Sequence, residues 1–199
     1  MKNTIFFDID TQYDFMHKDG KLYVPHAEQI IPKLRKITEF ALKKRIPIIA
    51  STDKHVMEDK EIASKAFPPH CIAETSGQKK ISETYVQNAI SVPNKLLPDN
   101  QIRHLIGKNL IIEKQEYDVF SNPNVKRLLK GIKKAYVYGV ATDYCVKAAV
   151  LGLLSMGIET YVIKDAIMPV VKDNEHKDLD LMKQKGATFL TTDTLLDEL

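Results

Sequence analysis

Cys145 stands where a strand gives way to a helix, in the run Gly139-Val140-Ala141-Thr142-Asp143-Tyr144-Cys145. A thiol in the first turn of a helix has its thiolate favoured by the helix dipole. A neighbouring ammonium would stabilise that thiolate further. A carboxylate within hydrogen-bond reach could accept the thiol proton and later return it to a leaving amine. The chain offers both partners at other strand ends. Asp8, Asp10, Gln12 and Asp14 follow the first apolar run, Asp53 and His55 the second, and Lys114 the third. Alternation along an extended chain sends Asp8, Asp10 and Gln12 to one side while the strand lasts. Taken singly, each residue reads as a cap, a surface charge or core filler. Their joint occurrence at successive strand ends gives a chemical reason for the whole set.

Asp53 and His55 lie two residues apart on an extended segment, so both side chains can reach one ion. Imidazole plus carboxylate suits Zn²⁺, Mn²⁺ or Fe²⁺ and disfavours Ca²⁺ and Mg²⁺, which prefer oxygen cages.

The elements that must hold these groups follow from periodicity. Thr4–Asp10, Ile46–Ser51, Asn109–Glu113, Ala135–Val140, Glu159–Lys164 and the short Thr188–Leu190 read as strands, with Ala89–Val92 a weaker one. Helical spacing marks Glu28–Arg45, Pro123–Lys130 behind an Asn122 cap, Asp143–Met156, Asn174–Lys185 and Asp193–Leu199. Thr52–Gly77 is polar and loop-rich. Nearly unbroken apolar strands alternating with helices predict a three-layer α/β fold. It would have about six parallel strands, helices on both faces, and one domain over residues 1–199. Ligands of such sheets bind outside the carboxyl ends of the strands.

Composition narrows the class. The 199 residues are 44% hydrophobic and 28% charged, the usage of a globular chain. Two cysteines cannot build a disulfide framework. The opening has no signal segment, and apolar runs such as Ala148–Leu154 are too short to span a bilayer, so a cytoplasmic protein without membrane partners is expected. Twenty-nine Lys+Arg against 26 Asp+Glu give +3. The basic clusters are interspersed with acids and lack interleaved aromatics, which argues against nucleic acid.

Four segments then carry a resemblance. Ile9-Asp10-Thr11-Gln12-Tyr13-Asp14-Phe15 resembles the opening motif of the isochorismatase-like cysteine hydrolases, and Gly139 to Val146 resembles the cysteine motif of their nicotinamidase branch. Ser51-Thr52-Asp53-Lys54-His55 and Phe67-Pro68-Pro69-His70-Cys71 are similar to that branch's metal-binding segments. The resemblance spans about Thr4 to Ile163, in the family's order. It implies the isochorismatase-like hydrolase fold and a triad of Asp10, Lys114 and Cys145. It further implies an oxyanion hole from the N–H groups of Ala141 and Cys145, with a cis bond entering Ala141. It implies one divalent metal per chain held by Asp53, His55 and His70, with Glu61 rather than Glu58 as fourth ligand. Phe15, Phe67, Val140 and Tyr144 would line the pocket for a flat ring.

The implied activity is release of ammonia from a small aromatic amide, with nicotinamide first and a place in NAD metabolism; another small amide is the alternative, and a homo-oligomer is left open. Phe67 replaces the family's Trp, the segment after Lys114 departs from the nicotinamidase pattern, and a second metal histidine between Asp53 and His70 is lacking. The vinyl-ether branch needs neither the metal ligands nor the cysteine, so their presence favours amide chemistry. Asp8-Ile9-Asp10 is also similar to a haloacid-dehalogenase phosphatase motif, but Gln12 occupies its fifth position and no later acidic pair follows. A non-catalytic member would not be expected to keep all three triad residues.

Overall fold

The computed structural model describes residues 3–198; residues 1, 2 and 199, the ends of the expected domain and of its terminal helix, lie outside them. Among the described residues, seven parallel strands form one sheet in the order β3-β4-β2-β1-β5-β6-β7. The strands are β1 (Thr4–Ile9), β2 (Ile48–Asp53), β3 (Ile90–Val92), β4 (Leu110–Lys114), β5 (Lys134–Val140), β6 (Glu159–Met168) and β7 (Thr188–Leu190). The seventh strand beyond the expected six is β3, a three-residue edge strand whose short apolar run gives a weak signal.

The helices are α1 (Tyr13–Met16), α2 (Ile31–Lys43), α3 (Lys60–Ala63), α4 (Asp99–Leu105), α5 (Val125–Leu128), α6 (Lys147–Ser155), α7 (Glu175–Gln184) and α8 (Thr192–Glu198). Helix α2 buries Leu34, Ile37 and Ala41 with Leu195 of α8 against Phe6, Tyr136 and Tyr138 of the sheet. Each Leu or Ile side chain among these contributes ~1.5–3 kcal/mol when fully buried. The opposite face packs Ile102 of α4, Leu128 of α5, Leu153 of α6 and Met182 of α7 on Phe7, Ile9 and Val137. Alternation in β1 divides Phe6 from Phe7 and makes the layers three. None of the described helices is long and apolar enough to cross a membrane.

Four expected elements differ. The helix expected over Glu28–Arg45 opens as a 3₁₀ turn, Ala27–Ile30, and α2 begins only at Ile31. The helix expected over Pro123–Lys130 is the single turn α5. Asn122 does not cap it; its side-chain amide instead donates to the Glu113 carbonyl at the end of β4 (2.8 Å). The helix expected over Asp143–Met156 opens as a π-type turn, Thr142–Val146, before α6 begins. Strand β6 runs four residues past Lys164, where Ile167 and Met168 pair with Gly139 and Val140 of β5 after a shift of register; Asp165 there bonds Lys33 (2.9 Å) and the Thr192 amide at the start of α8 (2.7 Å).

Candidate active site

Strands β4, β2, β1 and β5 are neighbours, and their carboxyl ends meet at one crevice. Asp10 leaves β1 with φ of 49°, a left-handed conformation that Asp tolerates better than most residues. That turn breaks the alternation expected for Asp8 and Asp10. Asp8 is buried against Lys80 (2.7 Å) and Thr11 (2.8 Å), away from the crevice, whereas Asp10 enters it. Strand β5 approaches β1 so closely that a Cβ on Gly139, with φ of 118°, would sit 2.1 Å from the Ile9 carbonyl oxygen. The cis Val140–Ala141 peptide follows. The amides of Tyr144 and Val146 then donate to the Ala141 carbonyl (3.1 and 3.0 Å), closing the turn that carries Cys145.

Lys114 is the hub. Its ammonium, wholly buried, lies 2.8 Å from Asp10 Oδ2 and 3.8 Å from Cys145 Sγ, and it forms a second ion pair with Asp53 Oδ1. Ser51 Oγ donates to the other Asp10 oxygen (2.7 Å). Asp10, Lys114 and Cys145 are therefore brought together, as the strand ends predict. Burial would expel a proton from Lys114, but Asp10 and Asp53 outweigh it and hold the ammonium well above its ordinary range. Burial pushes the Asp10 carboxyl up, with Asp53 adding to the rise and Lys114 opposing it. Burial also pushes the Cys145 thiol well up, against the pull of Lys114. Burial of a residue only 9% exposed thus opposes the thiolate preference expected at a helix end.

Asp53, His55 and His70 form the adjoining cluster, with one ligand atom from each lying within 4.8 Å of the others. Both imidazoles are oriented from behind. His55 Nδ1 donates to the Asp59 carboxylate (3.2 Å) and His70 Nδ1 to the Pro68 carbonyl (2.8 Å), turning each Nε2 toward Asp53. His70 Nε2 is 3.6 Å and His55 Nε2 3.9 Å from Asp53 Oδ2. His55 Nε2 is buried with no hydrogen-bond partner among the described residues. Burial holds His55 below its ordinary pKa, in the neutral form that ligates a metal. Two aimed nitrogens, one without a partner, and a carboxylate fit a divalent transition ion. Glu61 lies at the margin, 4.0 Å from His55 Nε2 and outside the tight group; Glu58 is exposed.

A cavity of about 90 Å³ opens over Cys145, with Phe15, Phe67, Val140, Ala141, Tyr144, Asp53, Glu61 and His70 in its wall. The four expected lining residues are all there. Phe67 meets Tyr144 and His70 edge-on, with centroids 6.0 and 6.2 Å apart. Sequence reasoning missed Leu22, Tyr23, Val24, Tyr117 and Val170, which complete the wall. Tyr117 stands 52% exposed at the mouth. It also missed the groups that hold the wall. Asp143 accepts from the amides of Val170 (2.9 Å) and Val171 (3.0 Å). Asp14 accepts from the amides of Cys71 (2.7 Å) and Lys21 (3.0 Å), fixing the His70 loop to the Leu22–Val24 wall. The local signal was an acid beside each motif residue, but its backbone partner lies far away in sequence.

The family model for the isochorismatase domain matches residues 96–194. Nicotinamidase of Escherichia coli is 24% identical over 92% of this chain and 92% of its own length. Nicotinamidase of Saccharomyces cerevisiae is also 24% identical, over 84% of this chain and 88% of its own. The pyrazinamidase of Pyrococcus horikoshii, solved in complex with zinc, superposes with a TM-score of 0.77 at 27% identity, covering 95% of this chain and 99% of that one.

Proposed function

This chain belongs to the isochorismatase-like family of hydrolases, in its nicotinamidase branch, and from that premise we propose that it releases ammonia from nicotinamide by thioester chemistry at Cys145. It is a hydrolase of carbon–nitrogen bonds in amides, as its relatives are. The observation that carries the mechanism is a single buried ammonium, Lys114, between the Asp10 carboxylate at 2.8 Å and the Cys145 sulfur at 3.8 Å.

Burial favours the protonated thiol, and in this mechanism its proton leaves as attack occurs. Asp10, whose hold on a proton burial strengthens, accepts that proton while the sulfur bonds to the amide carbon. Lys114 stays charged throughout and balances the carboxylate before transfer and the developing negative charge after it. The Ala141 and Cys145 amides hold the oxyanion. Asp10 then gives its proton to the nitrogen, the carbon–nitrogen bond breaks, and ammonia leaves a Cys145 thioester. Water enters, loses a proton to Asp10 and cleaves the thioester to the acid, and Asp10 restores the thiol proton. Phe15, Phe67, Tyr144 and Val140 grip the flat ring and exclude bulk water.

Asp53, His55 and His70 would hold one divalent ion beside this centre, with Glu61 at its margin, 4.0 Å from His55 Nε2. Such an ion supplies Lewis acidity and an exchangeable site that a ring nitrogen can take. The apolar wall and the neighbouring donor cluster together support a pyridine carboxamide. Ammonia release from a panel of amides, nicotinamide first, tests the proposal. Turnover of nicotinamide that vanishes in Cys145→Ala is the expected result. Activity on other small amides with none on nicotinamide would replace the substrate, and inertness toward every amide would overturn the reading.

A further inference from the structure

Strand β1 pairs with β2 only as far as Ile9 and Ser51. The next rung, from the Asp10 amide to the Ser51 carbonyl, is 3.2 Å, and there the chain turns away. On β2, Lys54 donates to the Lys114 carbonyl on the β4 side (3.0 Å), so the N–H and C=O of Asp53 point the other way, toward the gap that β1 has vacated. Buried backbone groups left facing a gap cost about as much as lost hydrogen bonds.

Gln12 fills that gap. Its Oε1 accepts from the Asp53 amide (2.7 Å), and its Nε2 donates to the Asp53 carbonyl (2.8 Å). The second Nε2 hydrogen reaches the Gln78 carbonyl (2.7 Å), tying in the segment that follows the His70 loop. The side-chain amide is fully buried and behaves as one further peptide group on the β1 edge of the ladder. Gln12 itself is fixed, because the Phe15 and Met16 amides donate to its carbonyl (3.1 and 3.0 Å). The residue it clamps divides its carboxylate between two jobs: one oxygen pairs with Lys114, and the other faces His55 and His70.

We propose that Gln12 is a positioning residue that replaces the missing rung of the β1–β2 ladder and fixes Asp53 between Lys114 and the metal cluster. The inference rests on the metal reading above. It assigns Gln12 no contact with substrate or ion. Glutamine suits the place because only a primary amide presents one acceptor and two donors at that reach. Glutamate would keep the acceptor and lose both donors, and leucine would keep the shape and lose all three bonds.

Zinc affinity, measured by chelator competition on purified full-length protein, separates positioning from mere stability. Gln12→Leu and Gln12→Glu should both bind zinc 10–100-fold more weakly, the usual effect of losing an outer-shell partner. Their kcat should fall with less change in KM. Ile48→Val, which loosens the same strand pair without touching Asp53, should lower the melting temperature and leave zinc affinity unchanged. A folded Gln12→Leu or Gln12→Glu that binds zinc within twofold of the wild type overturns the inference alone. Wild-type protein that binds no zinc overturns the metal reading on which it stands.

Discussion

Cys71 lies in the loop that follows His70 and Cys145 in the π-type turn that opens α6, and both are buried. Burial pushes both thiols above the ordinary range, so desolvation does not distinguish them. Their neighbours do. Around Cys71 the sulfur itself meets only a backbone carbonyl, that of Gly77 at 3.8 Å, while the Asp14 carboxylate is taken up by the Cys71 backbone amide at 2.7 Å. Around Cys145 the partners are a buried ammonium at 3.8 Å and, through it, a carboxylate that can change its protonation. Cys145 also borders the cavity, which Cys71 does not line. In the proposed mechanism, what sets Cys145 apart as the nucleophile is a base and a cation beside open space.

The contrast is broken most severely by exchanging sulfur for hydrogen at each site. Cys145→Ala should cut amide hydrolysis by ~10⁴-fold or more, the scale for removing a nucleophile. Cys71→Ala should leave most of it. Initial rates of ammonia release measure both. Loss of activity in Cys71→Ala with retention in Cys145→Ala would reverse the assignment of roles.

Next in size is the base. Asp10→Asn keeps the shape and the Ser51 contact but cannot take a proton, and a rate loss of ~10²–10⁴-fold is expected. Lys114→Met goes further into the structure. It leaves Asp10 and Asp53 buried with no counter-charge, and breaking such a pair costs about 3–5 kcal/mol. Urea unfolding should register that loss. Unchanged stability in Lys114→Met would mean that the carboxylates find another partner or take up protons.

How far these residues were legible in the sequence depends on the range of the interactions that hold them. The parallel sheet followed from nearly unbroken apolar runs such as Thr4–Asp10, since burial on both faces leaves its mark in most residues. Lys114, Cys145 and an acid of the first strand were legible because strand ends converge in this architecture, and the family resemblance picked out Asp10 among those acids. The edge strand β3 and the turns α1, α3 and α4 were weak or silent, being too short to show a period. Asp8 was misdirected: alternation predicted it beside Asp10, and a single positive φ at Asp10 undid the pattern. Gln12 and Asp14 were visible as motif residues but not as clamps, because their partners at Asp53, Gln78 and Cys71 are 41, 66 and 57 residues away.

The metal cluster extends the comparison, because Cys71 directly follows one of its members. Protein purified without chelator should carry close to one divalent ion per chain, and His55→Ala with His70→Ala should carry none. Elemental analysis reads both. Asp59→Ala should have a milder effect, about 10–100-fold in affinity, since it only frees the Nδ1 side of His55. Full amidase activity in protein stripped of metal would remove both the ion and the preference for a ring nitrogen.

The smallest effect sharpens the contrast from the other side. Cys71 is 0% exposed, and its sulfur occupies core space beside the Asp14–Gly77 contact, where even a Cβ on Gly77 would lie 2.2 Å from Asp14 Oδ2. Replacing that sulfur by hydrogen leaves a small void and breaks no charge-assisted bond, because the Asp14 bond is made by the backbone amide. Cys71→Ala should therefore destabilise by about 1 kcal/mol, as for other one-atom truncations in a core. Cys71→Ser has nearly the same shape but must bury a hydroxyl. The Gly77 carbonyl, 3.8 Å from the sulfur, is beyond ordinary O–H···O reach, so Ser should cost more than Ala. Denaturant midpoints for the two variants give the order directly. Ser more stable than Ala would mean that Cys71 sits in a polar niche, and the division between the two cysteines would then need redrawing.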